Sequence, residues 1–177
     1  MKYIRPFLLT ILFVAAYGAA DPNIAVEVYG ADNQFPKITD LNWLNQNFLD
    51  QQRKRVDDMS RTHFGQQIRR NKSDLRTLQR LIDSGAVKGS DKIELQALGV
   101  VLGDVFVAET KGLQWRVYED ELGKSHAVCL EGTKNCLFPI TMLSRRLEAG
   151  VAPEVNDVYQ KGLMDMSPFL PKKPYSH

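Results

Sequence analysis

From Ile93 to Val107 the chain carries apolar residues on nearly every side of a helical wheel: Ile93, Leu95, Leu98, Val100, Val101, Leu102, Val105, Phe106 and Val107. A helix of this kind belongs in the middle of a fold, with other elements packed around it. Gly99 and Gly103 interrupt it one turn apart, each at a cost of about 1 kcal/mol in helix propensity against alanine. Their presence predicts that another backbone or a large side chain packs against that face. A phosphate-binding glycine loop does not fit, because no strand precedes Gly99 and no Lys-Ser/Thr pair follows at the required spacing.

The flanking segments supply the packing partners. Upstream, Leu41, Leu44, Phe48, Gln52, Val56, Met59 and His63 recur at helical spacing after a cap at Thr39 or Asp40, and Gly65 ends the run. Leu75, Leu78, Leu81 and Ile82 form the stripe of a second helix, capped by Ser73 or Asp74 and stopped at Ser84-Gly85. Ser90 and Glu94 stand near capping-box spacing at the start of the apolar helix. After Lys111-Gly112 the period changes to two: Leu113, Trp115 and Val117 alternate with Gln114, Arg116 and Tyr118. A turn at Glu119–Lys124, a return at His126–Leu130 and a third run at Asn135–Phe138 predict a three-stranded antiparallel meander. Pro139 suits the first turn of a fourth helix with Ile140, Leu143 and Leu147, and Pro153-Glu154 opens a fifth with Val155, Val158, Tyr159 and Leu163. The expected fold class is α+β, helices on a small three-stranded sheet in the order ααα-βββ-αα.

Residues 1–20 read as a Sec-type signal peptide. Lys2 and Arg5 precede the apolar run Phe7–Ala16, and small residues at Gly18, Ala19 and Ala20 lead to Asp21-Pro22, which predicts cleavage near Ala20. The apolar stretch is short of the roughly twenty residues that a spanning helix needs, so an uncleaved anchor is the alternative reading. The expected organisation is a signal peptide at 1–20, an extended lead-in at 21–38 with a short strand within Ile24–Tyr29, one α+β domain at 39–166, and a Pro-rich tail at 167–177. Charge follows the same division. The whole chain has 23 basic and 21 acidic residues, and Lys2 and Arg5 account for the excess. A neutral mature chain lacks the electrostatic footprint of a nucleic-acid binder. The runs Arg53-Lys54-Arg55 and Arg69-Arg70-Asn71-Lys72 are interleaved with Asp57, Asp58 and Asp74, the pattern of a solvated, ion-paired face.

Cys129 and Cys136 flank a polar turn between two of the expected strands. Export makes a disulfide across that hairpin the preferred reading, with two small buried side chains as the alternative. His63, His126 and His177 have no zinc spacing, Glu119-Asp120-Glu121 reads as a solvated turn rather than a calcium loop, and no cofactor motif is present. Trp115, Tyr118, Arg145 and Arg146 combine apolar area with directional donors and form the candidate contact surface, although Trp115 also suits the core.

The stretch Leu98-Gly99-Val100-Val101-Leu102-Gly103-Asp104, then Gly112-Leu113-Gln114-Trp115 and Leu137-Phe138-Pro139-Ile140-Thr141-Met142-Leu143-Ser144-Arg145-Arg146, resembles a mainly bacterial family known only as a domain of unknown function. The likeness covers about residues 75–163. It implies one compact α+β unit and, for some members, export; it implies no activity. The functional expectation is an exported periplasmic or secreted accessory protein that binds an envelope protein without catalysis. Nucleic acid is not expected as a partner, and membrane contact is expected only through the signal segment. A hydrolase whose site is assembled from Asp120, His126 and Arg145 is the alternative.

Overall fold

In the computed structural model, residues 35–171 are described. The segments at 1–20 and Ile24–Tyr29, and the end of the Pro-rich tail, lie outside them. The elements are β1 (Lys37–Thr39), α1 (Trp43–Phe64), α2 (Asp74–Asp83), α3 (Lys92–Glu109), β2 (Leu113–Asp120), β3 (Gly123–Leu130), β4 (Cys136–Leu137), α4 (Pro139–Glu148) and α5 (Val155–Met166). All sheet pairings are antiparallel, in the spatial order β1-β2-β3-β4.

The α+β class holds, but the sheet has four strands rather than three. The extra strand, β1, precedes the helices and pairs Ile38 with Tyr118 and Thr39 with Val117. Three residues with a single apolar side chain carry no readable alternation, and β1 exists because β2, far along the chain, offers it an edge.

The central position of α3 follows from its sequence. Its residues Leu95, Leu98, Val100, Val101, Leu102, Val105 and Phe106 are all buried in one cluster with Leu49 and Val56 of α1, Leu78 and Leu81 of α2, and Leu143 of α4. Ile93, at the open end of the helix, is 55% exposed. Both interrupting glycines are close-packing sites. A Cβ on Gly99 would lie 2.6 Å from the Pro139 carbonyl oxygen, and one on Gly103 would lie 2.6 Å from Cη2 of the Trp115 ring. The helix–helix and helix–sheet spacings thus depend on the absence of two methyl groups.

Two further expectations are corrected. The cap of α1 is Asn42, whose side chain accepts the Asn45 N–H at 2.9 Å, rather than Thr39 or Asp40. Its buried stripe is Leu49, Gln52, Val56 and Ser60, while Leu44 is 68% exposed. On the same side of the helix Arg53 bonds Asp104 of α3 through Nε at 2.7 Å and Nη2 at 2.6 Å. The capping box does not form either. Asp91 stands at the N-cap of α3, and Glu94 turns to Arg55 at 3.4 Å.

The period-two reading of the meander is correct, with a tighter turn than expected. β2 continues to Asp120, which pairs with Gly123 across Glu121-Leu122. Asp120 Oδ1 accepts the Leu122 N–H at 2.9 Å, and Gly123 takes φ 125°, a conformation open to glycine. Cys129 and Cys136 form a disulfide, with Cα atoms 4.0 Å apart. They face each other in register, one step from Leu130, whose N–H donates to the Asn135 carbonyl at 2.9 Å. That makes the cysteines a non-hydrogen-bonded pair, the position in which facing side chains come closest. With a sequence separation of 7, the closed loop stabilises by about 2–3 kcal/mol. Reduction is expected to lower the unfolding free energy by that amount, read as a lower urea midpoint at an unchanged slope, and Cys129→Ala/Cys136→Ala should be insensitive to reductant.

Candidate functional site

A cleft of about 500 Å³ opens between β3 and the start of α4. Its apolar wall comes from Phe48, Phe138 and Ile140, and its polar groups from Asp120, Lys124, His126 and Arg145. Leu122, at the tip of the β2–β3 turn, stands on its rim and is 97% exposed. A second cleft of about 280 Å³ lies on the other side of His126, shares Lys124 and Ser125 with the first, and has the exposed Leu44 in its wall. His126 thus lines both depressions.

The imidazole is held from both directions. Phe48 stacks on it with ring centroids 4.8 Å apart and planes 10° from parallel. Nε2 lies 2.8 Å from Asn45 Oδ1. The proton on that nitrogen can be assigned from the helix cap. The backbone N–H of Asn45 can only donate, so Asn42 Oδ1, which receives it, is an acceptor. The Asn45 side-chain amide gives its N–H to the same oxygen at 2.8 Å, which turns its own carbonyl toward His126. Nε2 must then carry the hydrogen, and the lone pair of the neutral ring is on Nδ1.

Burial pushes the His126 pKa below its ordinary value, because the charged ring loses water. In the unfolded chain the same group takes up a proton near pH 6.5, so stability rises with pH wherever the unfolded state binds the extra proton. This contribution is fully present above about pH 6.5 and is lost as the pH falls through the lowered folded value. Urea unfolding at pH 7.5 and pH 5 is expected to show a lower midpoint at pH 5 for the native chain, and a smaller difference for His126→Gln.

The cleft brings Arg145 of α4 together with Asp120 and His126, which belong to one hairpin. It does not join them into a hydrogen-bonded set. His126 bonds an amide rather than a carboxylate, one oxygen of Asp120 is engaged by the turn, and Arg145 is exposed with no ion pair among the described residues. The four residues of the candidate contact surface are dispersed. Trp115 is a correction: it is buried, its Nε1–H donates to Asp104 Oδ1 at 2.9 Å, and its ring lies against Gly103, so it belongs to the core. Tyr118 packs edge-on against Phe138 at 5.0 Å, and Arg146 donates to the Met142 carbonyl at 2.5 Å. Arg145 alone of the four lines the cleft.

The basic runs also divide. Lys54 pairs with Asp58 at 2.6 Å on the surface, as expected, but Arg53 is a correction: it turns inward to the buried Asp104 rather than lying on a solvated face. Asp74 instead is buried and accepts the backbone N–H groups of Arg69 and Arg70, so it organises the loop rather than pairing with the arginine side chains.

A buried α3 flanked by helices, with a meander and its disulfide behind it, is the arrangement that the family comparison also covers. Residues 74–159 match DUF3806, a domain of unknown function. The DUF3806 segment agrees with the resemblance seen over about residues 75–163. It runs from the first residue of α2 to Tyr159 in α5 and includes Asp104, both packing glycines, the disulfide and most of the cleft wall. β1 and α1 precede it, so Phe48 of the cleft wall and Asn45, the partner of His126, come from outside the DUF3806 segment. A crystal structure from Bacteroides thetaiotaomicron VPI-5482 is similar in fold, with a TM-score of 0.66 and 17% identity over 72% of this chain and 47% of that one. This chain thus spans about half the length of that protein. No curated protein matches the chain.

Phe48, Lys124, Phe138 and Ile140 were not among the candidates from sequence. Phe48 and Ile140 sit on helical apolar stripes and read as core, and only the placement of α1 and α4 beside the open part of β3 makes them cleft wall.

Proposed function

We propose that the chain is an exported accessory protein of the cell envelope that acts by binding another protein, with the cleft between β3 and α4 as its contact site. The observation that supports this most strongly is the composition of the cleft: aromatic and aliphatic walls, a fully exposed Leu122 on the rim, and Arg145 free of an ion pair among the described residues. Exposed apolar side chains beside an unneutralised arginine are what a protein contact uses, the first for buried area and the second for directional bonds. Export is the role proposed for residues 1–20, and the disulfide suits an oxidising compartment.

The test compares the native chain with Arg145→Glu, each expressed at native level and captured from envelope fractions after cross-linking. One envelope protein should be recovered with the native chain and lost with the variant, and the mass of the recovered chain should correspond to a start at Asp21. Equal recovery with both forms would remove the cleft from the account.

Hydrolysis is the second reading, favoured by one observation, the presence of Asp120, His126 and Arg145 in one cleft. It requires turnover of an ester, amide or glycoside that disappears in His126→Gln. The binding reading expects no His126-dependent turnover.

A further inference from the structure

The cleft exists because one strand stops early. β4 pairs Leu137 with Val128 and Cys136 with Cys129. Continued in the same register, Phe138 would face Ala127 and Pro139 would face His126. Pro139 has no N–H to give and is the first residue of α4, so the ladder ends and the chain leaves the sheet. From Gly123 to Ala127, β3 therefore has β2 on one side and no strand on the other among the described residues.

The direction of the unpaired backbone groups follows from two bonds. On the β2 side the Glu131 N–H donates to the Gly112 carbonyl at 2.9 Å, and on the β4 side the Leu130 N–H donates to the Asn135 carbonyl at 2.9 Å. Backbone groups alternate between the two sides of an antiparallel strand. Cys129, Ala127 and Ser125 thus face β2, whereas Val128, His126 and Lys124 face the β4 side. Val128 is met by β4. His126 and Lys124 direct two N–H groups and two carbonyls at the cleft, about 7 Å apart along the strand, with no backbone partner there among the described residues.

Donors and acceptors at the strand repeat are matched by another extended backbone. The cleft also has a sign. Lys124 is paired with Glu119 across the hairpin at 3.6 Å, whereas Arg145 has no ion pair among the described residues, Asp120 gives one oxygen to its own turn, and α4 begins there with the positive end of its dipole. We infer that the cleft takes an extended acidic peptide segment of the partner protein as an added strand on β3, paired with the backbones of Lys124 and His126 and held by Arg145. The inference rests on the proposed reading of the cleft as a contact site and names what occupies it.

The test uses a display library of random ten-residue peptides selected on the purified full chain, followed by amide hydrogen exchange with the selected peptides bound. Acidic peptides should be enriched, and exchange at the Lys124 and His126 amides should slow by about tenfold or more while the Ser125 amide, already bonded to β2, changes little. Lys124→Pro removes an edge-facing N–H without touching the β2 ladder and should weaken binding by about tenfold. Arg145→Glu, at an exposed position, should reverse the charge preference. Peptides that bind in the cleft without protecting the two amides would overturn strand addition and leave the contact site standing. A library that yields no cleft-directed peptide would overturn the inference, and the Arg145→Glu capture experiment then judges the contact site independently. Protection of the same amides that rises with protein concentration in the absence of peptide would assign the edge to a second copy of this chain and overturn the inference.

Discussion

Asp104→Ala is expected to destabilise the fold by about 3–5 kcal/mol, read as a lowered urea midpoint with an unchanged slope. Asp104 is buried and holds three elements at once. Its oxygens receive two bonds from Arg53 of α1 and one from the Trp115 indole of β2, while its own backbone is in α3. Truncation leaves a mostly buried guanidinium and an indole N–H without their acceptor, and the cost is the desolvation of both groups more than the loss of the bonds. Arg53 keeps Asp50 as a second partner at 2.8 Å, which limits the damage on the α1 side. Asp104→Asn should fall between the native chain and Asp104→Ala, since its carbonyl can serve Trp115 but its charge is gone.

Gly99→Ala is expected to destabilise by about 1–3 kcal/mol, even though alanine gains about 1 kcal/mol over glycine in helix propensity. The new methyl would meet backbone atoms of Pro139 and Ile140, which have no rotamer to move away. α4 must shift as a body, and with it Ile140, Thr141 and Arg145 of the cleft wall. Gly103→Ala pushes instead on the Trp115 ring, so its loss of stability should come with a shift in tryptophan emission as the indole leaves Asp104. Thermal melts of the two variants, with emission spectra before unfolding, separate a displaced helix from a displaced ring.

These glycines also show how far the sequence could be read. Two helix-breaking residues one turn apart in an otherwise apolar helix have few explanations other than close approach, so the contact could be anticipated without knowing what made it. The disulfide was legible for a similar reason: two cysteines on either side of a short polar turn are brought together by local structure. β1 was not legible, because Lys37–Thr39 becomes a strand only through β2, some eighty residues on. The face of α1 is legible in part: Gln52 and Val56 of the expected stripe are buried and Phe48 and Met59 partly so, but Leu44 is exposed, and the buried Leu49 and Ser60 lie outside the three- and four-residue pattern. Trp115 carried two readings, and the indole bond to Asp104 decides for the core. The cleft is a tertiary feature of the same kind: Pro139 was correctly placed at the start of a helix, but its effect on the neighbouring strand depends on a register that only the fold supplies.

Site-directed photo-cross-linking in living cells tests most directly whether the cleft between β3 and α4 is where a partner protein is held. A photoreactive residue at Ser125, in the cleft, is compared with one at Gln160, an exposed position on α5 outside the cleft lining. A discrete adduct is expected from position 125 that disappears when Arg145→Glu is added, and none from position 160. An adduct from position 160 alone, or one from position 125 that survives Arg145→Glu unchanged, would contradict this role of the cleft.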